Sequence, residues 1–305
     1  GFIAELRAIR ALWYYWALDA FGNVPLVTSF DQTEPPSNAT RQEVYNFVET
    51  ELTEVIPLLP TATGLATYGR MTRWAALAIR CKLYLNAEVY TGTAQWAKAE
   101  ADAAEIVNDG GYSLETVYSD NFAIVNEGSS ENILVYPYDK VFANGFNIPM
   151  FTLHYASQTV YQLTEQPWNG YSAVEEFYNS YIDPVNNPGP QGRVWRGLAE
   201  ADPADPKMPH PTSLGTLDER LSNFIVGPQF NPDGSRTQDP GFDKADPALP
   251  EKEADPDGAP LTFTPQINEI YPFAWRQGGA RIGKYEFEQG GTSNMSNDFV
   301  IFRLG

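Results

Sequence analysis

Few residues in this sequence have the types and spacing needed for covalent chemistry. There are two histidines, His154 and His210, and a single cysteine, Cys81. A Ser–His or Cys–His nucleophile has little to draw on, and neither G-x-S-x-G nor H-E-x-x-H occurs. Hydrolysis of a glycoside needs two carboxylates, which leave no sequence signature. The obvious pair is Glu175-Glu176, but neighbours on a short helix point in different directions and read as a solvated helix face. His154, between Leu153 and Tyr155, reads as a structural side chain. Cys81 falls within a helical stretch and reads as a small buried hydrophobe, with no second thiol and no metal-type spacing.

Two stretches approach known ligand loops and fall short of them. Gly278 to Lys284 spells G-x-x-x-x-G-K, but Tyr285 follows where a phosphate loop needs Ser or Thr for magnesium, and the run enters a strand. It reads as a glycine-rich turn. Asp255-Pro256-Asp257-Gly258 has the start of a calcium loop, yet Pro256 and Pro260 suit a plain turn in an acidic loop. No metal and no cofactor is expected.

The aromatics placed in loops carry more chemistry. Trp168 stands in QPWNG, Trp195 in GRVWR and Trp275 in PFAWR, with Tyr155 and Tyr161 flanking the first. A pyranose presents an apolar face of C–H groups and a rim of hydroxyls. An indole or phenol stacks on the face, and an adjacent amide or guanidinium hydrogen-bonds the rim. Trp168 with Asn169, Trp195 with Arg196, Trp275 with Arg276, and Tyr155 are therefore candidate glycan contacts. The competing reading is that each indole anchors its own loop on the core. Trp13, Trp16, Trp74 and Trp96 lie in helical stretches and read as packing residues.

The elements that must position these loops are mostly helical. Residues 2–21 form an aromatic-rich helix with no solvated stripe, expected to be buried nearly all round and to end at Gly22-Asn23 before Pro25. Thr40-Arg41-Gln42-Glu43 is a capping box, and Val44, Val48, Leu52 and Val55 follow at helical spacing until Pro57. Thr72 caps a third helix over 73–90. Thr93 caps a fourth over 94–108, closed by Gly110-Gly111, so the two form a hairpin. From Tyr112 the texture turns loop-rich. Asn132–Tyr136 reads as a strand, Ala173–Tyr181 as a short helix and Asp218–Leu221 as a helical turn. Residues 183–211 and 239–260 read as Pro-rich loops, and 281–287 and 299–302 as apolar segments closing the chain. Residues 1–111 thus make a helical scaffold, and 112–305 a loop-rich region packed on it in one globular unit. The formal net charge of −19 and the absence of a basic stripe argue against nucleic acid. Gly1-Phe2-Ile3 opens mid-helix without Met, and both ends read as cut, so the absence of a signal or lipid-attachment cysteine in this stretch carries no information.

Three of these stretches, ALWYYWALDAFGNVPLVT, TRQEVYNFVETELTEVIPLLP and GRMTRWAALAIRCKLYLNAEVYTG, together with RIGKYE and SNDF near the end, resemble the SusD/RagB family of surface glycan-binding lipoproteins. The resemblance implies a mostly α fold, a tetratricopeptide-like superhelix of helix hairpins with long loops and short strands on one side. It implies non-catalytic binding of oligo- or polysaccharide, and delivery to a SusC-like TonB-dependent transporter. It also implies location at the outer membrane through a lipid anchor outside this stretch. In the family the final apolar run leads into a further helix. These motifs belong to the scaffold and are silent on the sugar. A glycoside hydrolase with an aromatic cleft, or a helical peptide-binding scaffold, stays open on the residues alone.

Overall fold

The computed structural model describes residues 1–181, 218–239, 261–267 and 276–305. Trp195, Arg196, Trp275, the loop 183–211 and the turn 255–258 lie outside the described residues. Those described fall into two compact units, Gly1–Glu115 with Gly128–Tyr136 and Val300–Gly305, and Thr116–Glu127 with Pro137–Phe299.

The first unit is a helical stack. Helix α1 (Phe2–Phe21) has neither Gly nor Pro and stops at Gly22, whose positive φ of 74° lets its N–H return to the Leu18 carbonyl. Its inner face is Ala4, Ala8, Ala11, Tyr15 and Leu18, small enough for close packing on α2 (Arg41–Val55). The expected box caps α2: the Thr40 side chain accepts the Glu43 N–H, and Glu43 accepts the Thr40 N–H at 2.7 Å. Helix α3 (Arg73–Leu85) is capped by Thr72 and packs on α5 (Trp96–Asp109). Arg80 joins them, with two hydrogen bonds of 2.8 and 2.7 Å to Asp102. Strand β1 (Asn132–Tyr136) pairs with β6 (Phe299–Arg303).

Several expectations need correction here. The helix expected over 73–90 breaks at Asn86, and α4 (Ala87–Thr91) continues it. Helix α5 starts at Trp96 rather than Ala94. Thr93 does not cap it, because the later start puts Gln95 at the cap position, where no side chain bonds the first-turn amides. Helix α1 is not buried all round. Phe2, Leu6, Ile9 and Trp13 recur every three or four residues along its outer side, with exposures of 74, 49, 39 and 58%. Trp13 and Trp96, expected as packing residues, are 58 and 61% exposed. An aromatic-rich helix can carry an apolar stripe on two faces, and only one of them meets α2. An apolar stripe left exposed along one side of a helix favours association. The chain should therefore self-associate at high concentration. Leu6→Glu with Trp13→Glu should make it monodisperse in light scattering at unchanged melting temperature, whereas an unaltered scattering profile would count against the stripe.

Between α1 and α2, Arg7 and Arg10 both bond Glu51, at 2.6 and 2.5 Å, in a side-chain environment only 9% exposed on the glutamate. Burial alone would raise the Glu51 pKa. The hydrogen bonds from Arg7 and Arg10 outweigh it and hold the carboxyl below its ordinary 4.5. Stability from a depressed carboxyl is complete above its unfolded value and is lost as pH falls through the folded one. Glu51→Gln should cost about 2–3 kcal/mol at neutral pH. The deficit should shrink below roughly pH 4, which urea melts at pH 7 and pH 3 would show. An equal deficit at both values would mean the loss is one of packing.

The described residues of the second unit are mostly irregular backbone around short elements. It holds α6 (Ile148–Thr152), α7 (Ser157–Val160), α8 (Glu175–Asn179) and the two-residue strands β2 (Phe224–Ile225), β3 (Gly227–Pro228), β4 (Thr262–Phe263) and β5 (Arg281–Ile282). Strand β2 pairs antiparallel with β5, and β3 with β4. Irregular backbone must satisfy its polar groups through side chains. Fully buried Asn297 does so, donating to the carbonyls of Phe122, Ala123 and Glu286. Asn126 and Asp298 exchange two bonds of 3.0 and 2.8 Å. The Gly278–Lys284 run is a turn leading into β5, as its sequence suggested.

Candidate functional site

The loop carrying Trp168 is anchored on α6. A helix this short leaves its carbonyls without intrahelical partners. The loop amides meet them: Trp168 N–H bonds Met150 O at 2.7 Å, Asn169 N–H bonds Leu153 O at 3.0 Å, and Gly170 and Tyr171 N–H both bond Phe151 O. Asn169 holds a left-handed φ of 51°, which Asn tolerates better than most residues. Gly170 packs so close to Phe151 that a Cβ there would lie 3.3 Å from its ring and its carbonyl oxygen. The backbone under Trp168 is thus set by four hydrogen bonds and a close contact.

That anchoring leaves the indole 41% exposed, edge-on to Phe151 at 4.7 Å and 84°, and Phe151 is itself 40% exposed. Phe151 stacks on Tyr171 at 5.9 Å with planes 19° apart. The Tyr171 hydroxyl donates to Ile148 O at 3.1 Å, and burial pushes its pKa up, so it is a neutral donor. The result is a corner of two nearly perpendicular aromatic surfaces. Phe151 and Tyr171 were missed in the sequence, where nothing separates an exposed Phe of a short helix from a core one.

Asn169 links this corner to the other candidates. Its Nδ2 donates to the Arg276 carbonyl at 3.4 Å, and its Oδ1 has no hydrogen-bond partner. The Arg276 guanidinium sits 3.3 Å from Asp239 and 6.0 Å from the ring centre of half-buried Tyr155. Its side chain is only 13% exposed, so its charge is committed to Asp239. Tyr155, Trp168, Asn169 and Arg276 therefore form one linked group. Trp195 and Trp275 lie outside the described residues. Tyr161 is buried edge-on to Phe287, away from solvent.

The catalytic alternatives find little purchase. His154 is fully buried, and its Nδ1 accepts the Ala156 N–H at 3.1 Å. An amide N–H can only donate, so Nδ1 is unprotonated and the ring proton is on Nε2. Nε2 lies 3.2 Å from Asp239, off the line of a well-formed bond. Neither ring nitrogen is offered to a nucleophile. Glu175 accepts Gln266 Nε2 at 2.9 Å and Glu176 is exposed, in keeping with a solvated helix face. Burial raises the Cys81 pKa, which leaves a protonated thiol. Among the described residues, no three His, Cys, Asp or Glu side chains are grouped to hold a metal. No described helix is long and apolar enough to cross a membrane.

Residues 6–85 match the family model of SusD-like proteins described as starch-binding and associating with the outer membrane. The starch-binding protein SusD of Bacteroides thetaiotaomicron is 36% identical over 131 residues, which is 43% of this chain and 23% of that protein. A SusD-like protein of Bacteroides ovatus is 29% identical over 141 residues, 43% of this chain and 25% of that protein. The structure of a SusD superfamily protein from Parabacteroides distasonis superposes with a TM-score of 0.63 at 17% identity, covering all of this chain and 53% of that one. Surface glycan-binding protein A of Bacteroides thetaiotaomicron, in complex with laminarihexaose, gives a TM-score of 0.54 at 21% identity, covering 99% of this chain and 54% of that one. At such identities the superpositions speak to the fold. The chain spans about half the length of these solved relatives.

Proposed function

The chain is SusD-like in its N-terminal helices and in its fold, and from that premise we propose that it binds an oligo- or polysaccharide without catalysis. The observation that carries this reading is the exposed corner of Trp168, Phe151 and Tyr171, held from below by backbone hydrogen bonds. Held in place before the ligand arrives, the corner loses little ordering entropy on binding. A sugar ring stacks on the exposed indole. Tyr155 borders the same group, and Trp195 and Trp275 are further candidates. Starch and laminarihexaose are named for relatives, and a neutral glucan is the first class to try.

In this reading the whole protein works at the cell surface. It is lipid-anchored in the outer membrane and passes its glycan to a SusC-like TonB-dependent transporter. The test is affinity electrophoresis in gels containing starch, laminarin or xyloglucan, with a reducing-end assay run alongside. Retardation in at least one gel with background sugar release is expected. Free migration in all three defeats the binding reading. Steady sugar release that disappears when one Asp or Glu is changed makes the protein a hydrolase.

A further inference from the structure

We infer that His154 and Asp239 are positioning residues of the aromatic site, a buried pair that sets where Tyr155, Arg276 and, through Arg276, Asn169 stand. Both side chains are completely buried. The Ala156 N–H bond to His154 Nδ1 closes a ring around one residue, and that residue is Tyr155. The peptide units on both sides of Tyr155 are thereby tied to the imidazole.

Asp239 works from the opposite side. Its Oδ1 holds Arg276 at 3.3 Å, and Arg276 covers the Tyr155 ring. Its Oδ2 takes Gln277 Nε2 at 3.3 Å and faces His154 Nε2 at 3.2 Å. Gln277 in turn accepts the Thr262 N–H at 2.8 Å, which fastens the group to β4. The Arg276 carbonyl then receives Asn169 Nδ2 and the close Arg281 guanidinium. Arg281 stacks over Phe263, whose ring is 6.4 Å from that of His154. Among the described residues, charged and titratable groups that face this network include Arg276, Arg281 and Tyr155.

A buried carboxylate and a buried imidazole are costly to desolvate, and apolar side chains would fill this volume at lower cost. What apolar side chains cannot supply is direction. Hydrogen bonds from two sides fix Tyr155 and the 276 peptide, and the amide of Asn169 hangs on that peptide. The inference rests on the carbohydrate reading for the use of the site, and on geometry alone for the positioning.

Because the chain has two histidines, His210→Gln leaves one imidazole for nitrogen-15 spectroscopy. The spectrum should show the proton on Nε2 of His154, and a proton on Nδ1 would overturn the inference. His154→Ala should shift the amide signals of Tyr155, Asn169 and Trp168 and weaken laminarihexaose binding on the order of tenfold. His154→Asn, whose Oδ1 can replace Nδ1 as acceptor for Ala156, should restore most of both. If the alanine variant does not fold, His154→Gln takes its place, keeping reach to Asp239 while misplacing the acceptor. Equal behaviour of the replaced and the restoring variants, or unmoved Asn169 and Trp168 signals, would overturn it. Absence of laminarihexaose binding in the unaltered chain would tell against that ligand, and the amide shifts would still decide the positioning.

Discussion

Trp168→Ala should abolish detectable glycan binding and leave the fold intact. The indole is 41% exposed, so its loss opens no enclosed cavity in a core. Its loop is held by backbone amides of residues 168–171, none of which needs the side chain. An aromatic ring stacked on a ligand contributes about 1–3 kcal/mol. For a binder in the micromolar-to-millimolar range this is about a tenfold to hundredfold loss, which carries it beyond ordinary titration. Calorimetry with the glycan that retards the protein in gels, alongside a thermal melt, checks both halves. Unchanged affinity, or a collapse in melting temperature, would show the indole to be a loop anchor.

Trp74→Ala should do the opposite. Trp74 stands in the first turn of α3, 5% exposed, and its indole N–H donates to the Thr61 carbonyl at 2.8 Å. Truncation leaves a cavity in the helical core and a carbonyl without its donor. The expected cost is about 3–5 kcal/mol, a fall in melting temperature on the order of 10 °C. Trp96→Ala is the matched comparison. That indole is 61% exposed, and its removal should change stability by about 0.5 kcal/mol or less. If Trp74→Ala and Trp96→Ala melt alike, the burial pattern of the helical unit is wrong.

The helical half was largely legible because its signals are local. The capping box at Thr40, the stop at Gly22 and the cap at Thr72 each depend on residues within one or two turns, and each stands in the structure. The errors arose where local signals competed. Asn86 interrupts what periodicity reads as one long helix, since a single turn residue barely disturbs a hydrophobic pattern. Thr93 had the right type for a cap, but α5 begins two residues later than its pattern suggests, with Gln95 at the cap position.

Chain order and composition led to the expectation of a helical scaffold followed by a loop-rich region, of little material for nucleophilic catalysis, and of a short set of loop aromatics as candidates for a sugar face. Exposure was beyond them. Trp13, Trp74 and Trp96 are alike in sequence as aromatic residues in helical stretches, yet they differ by more than half of their surface. What buries a side chain is the element packed over it, and that element is usually distant in the chain. The same holds at the candidate site. Phe151 joins Trp168 because loop amides 168–171 satisfy the carbonyls at the end of α6. Arg276, 107 residues from Asn169, links that amide to the Tyr155 ring. The buried pairing of His154 with Asp239 bridges 85 positions. Residue types were legible along the chain, but hydrogen bonds and ring contacts across such separations exist only once the chain has closed on itself.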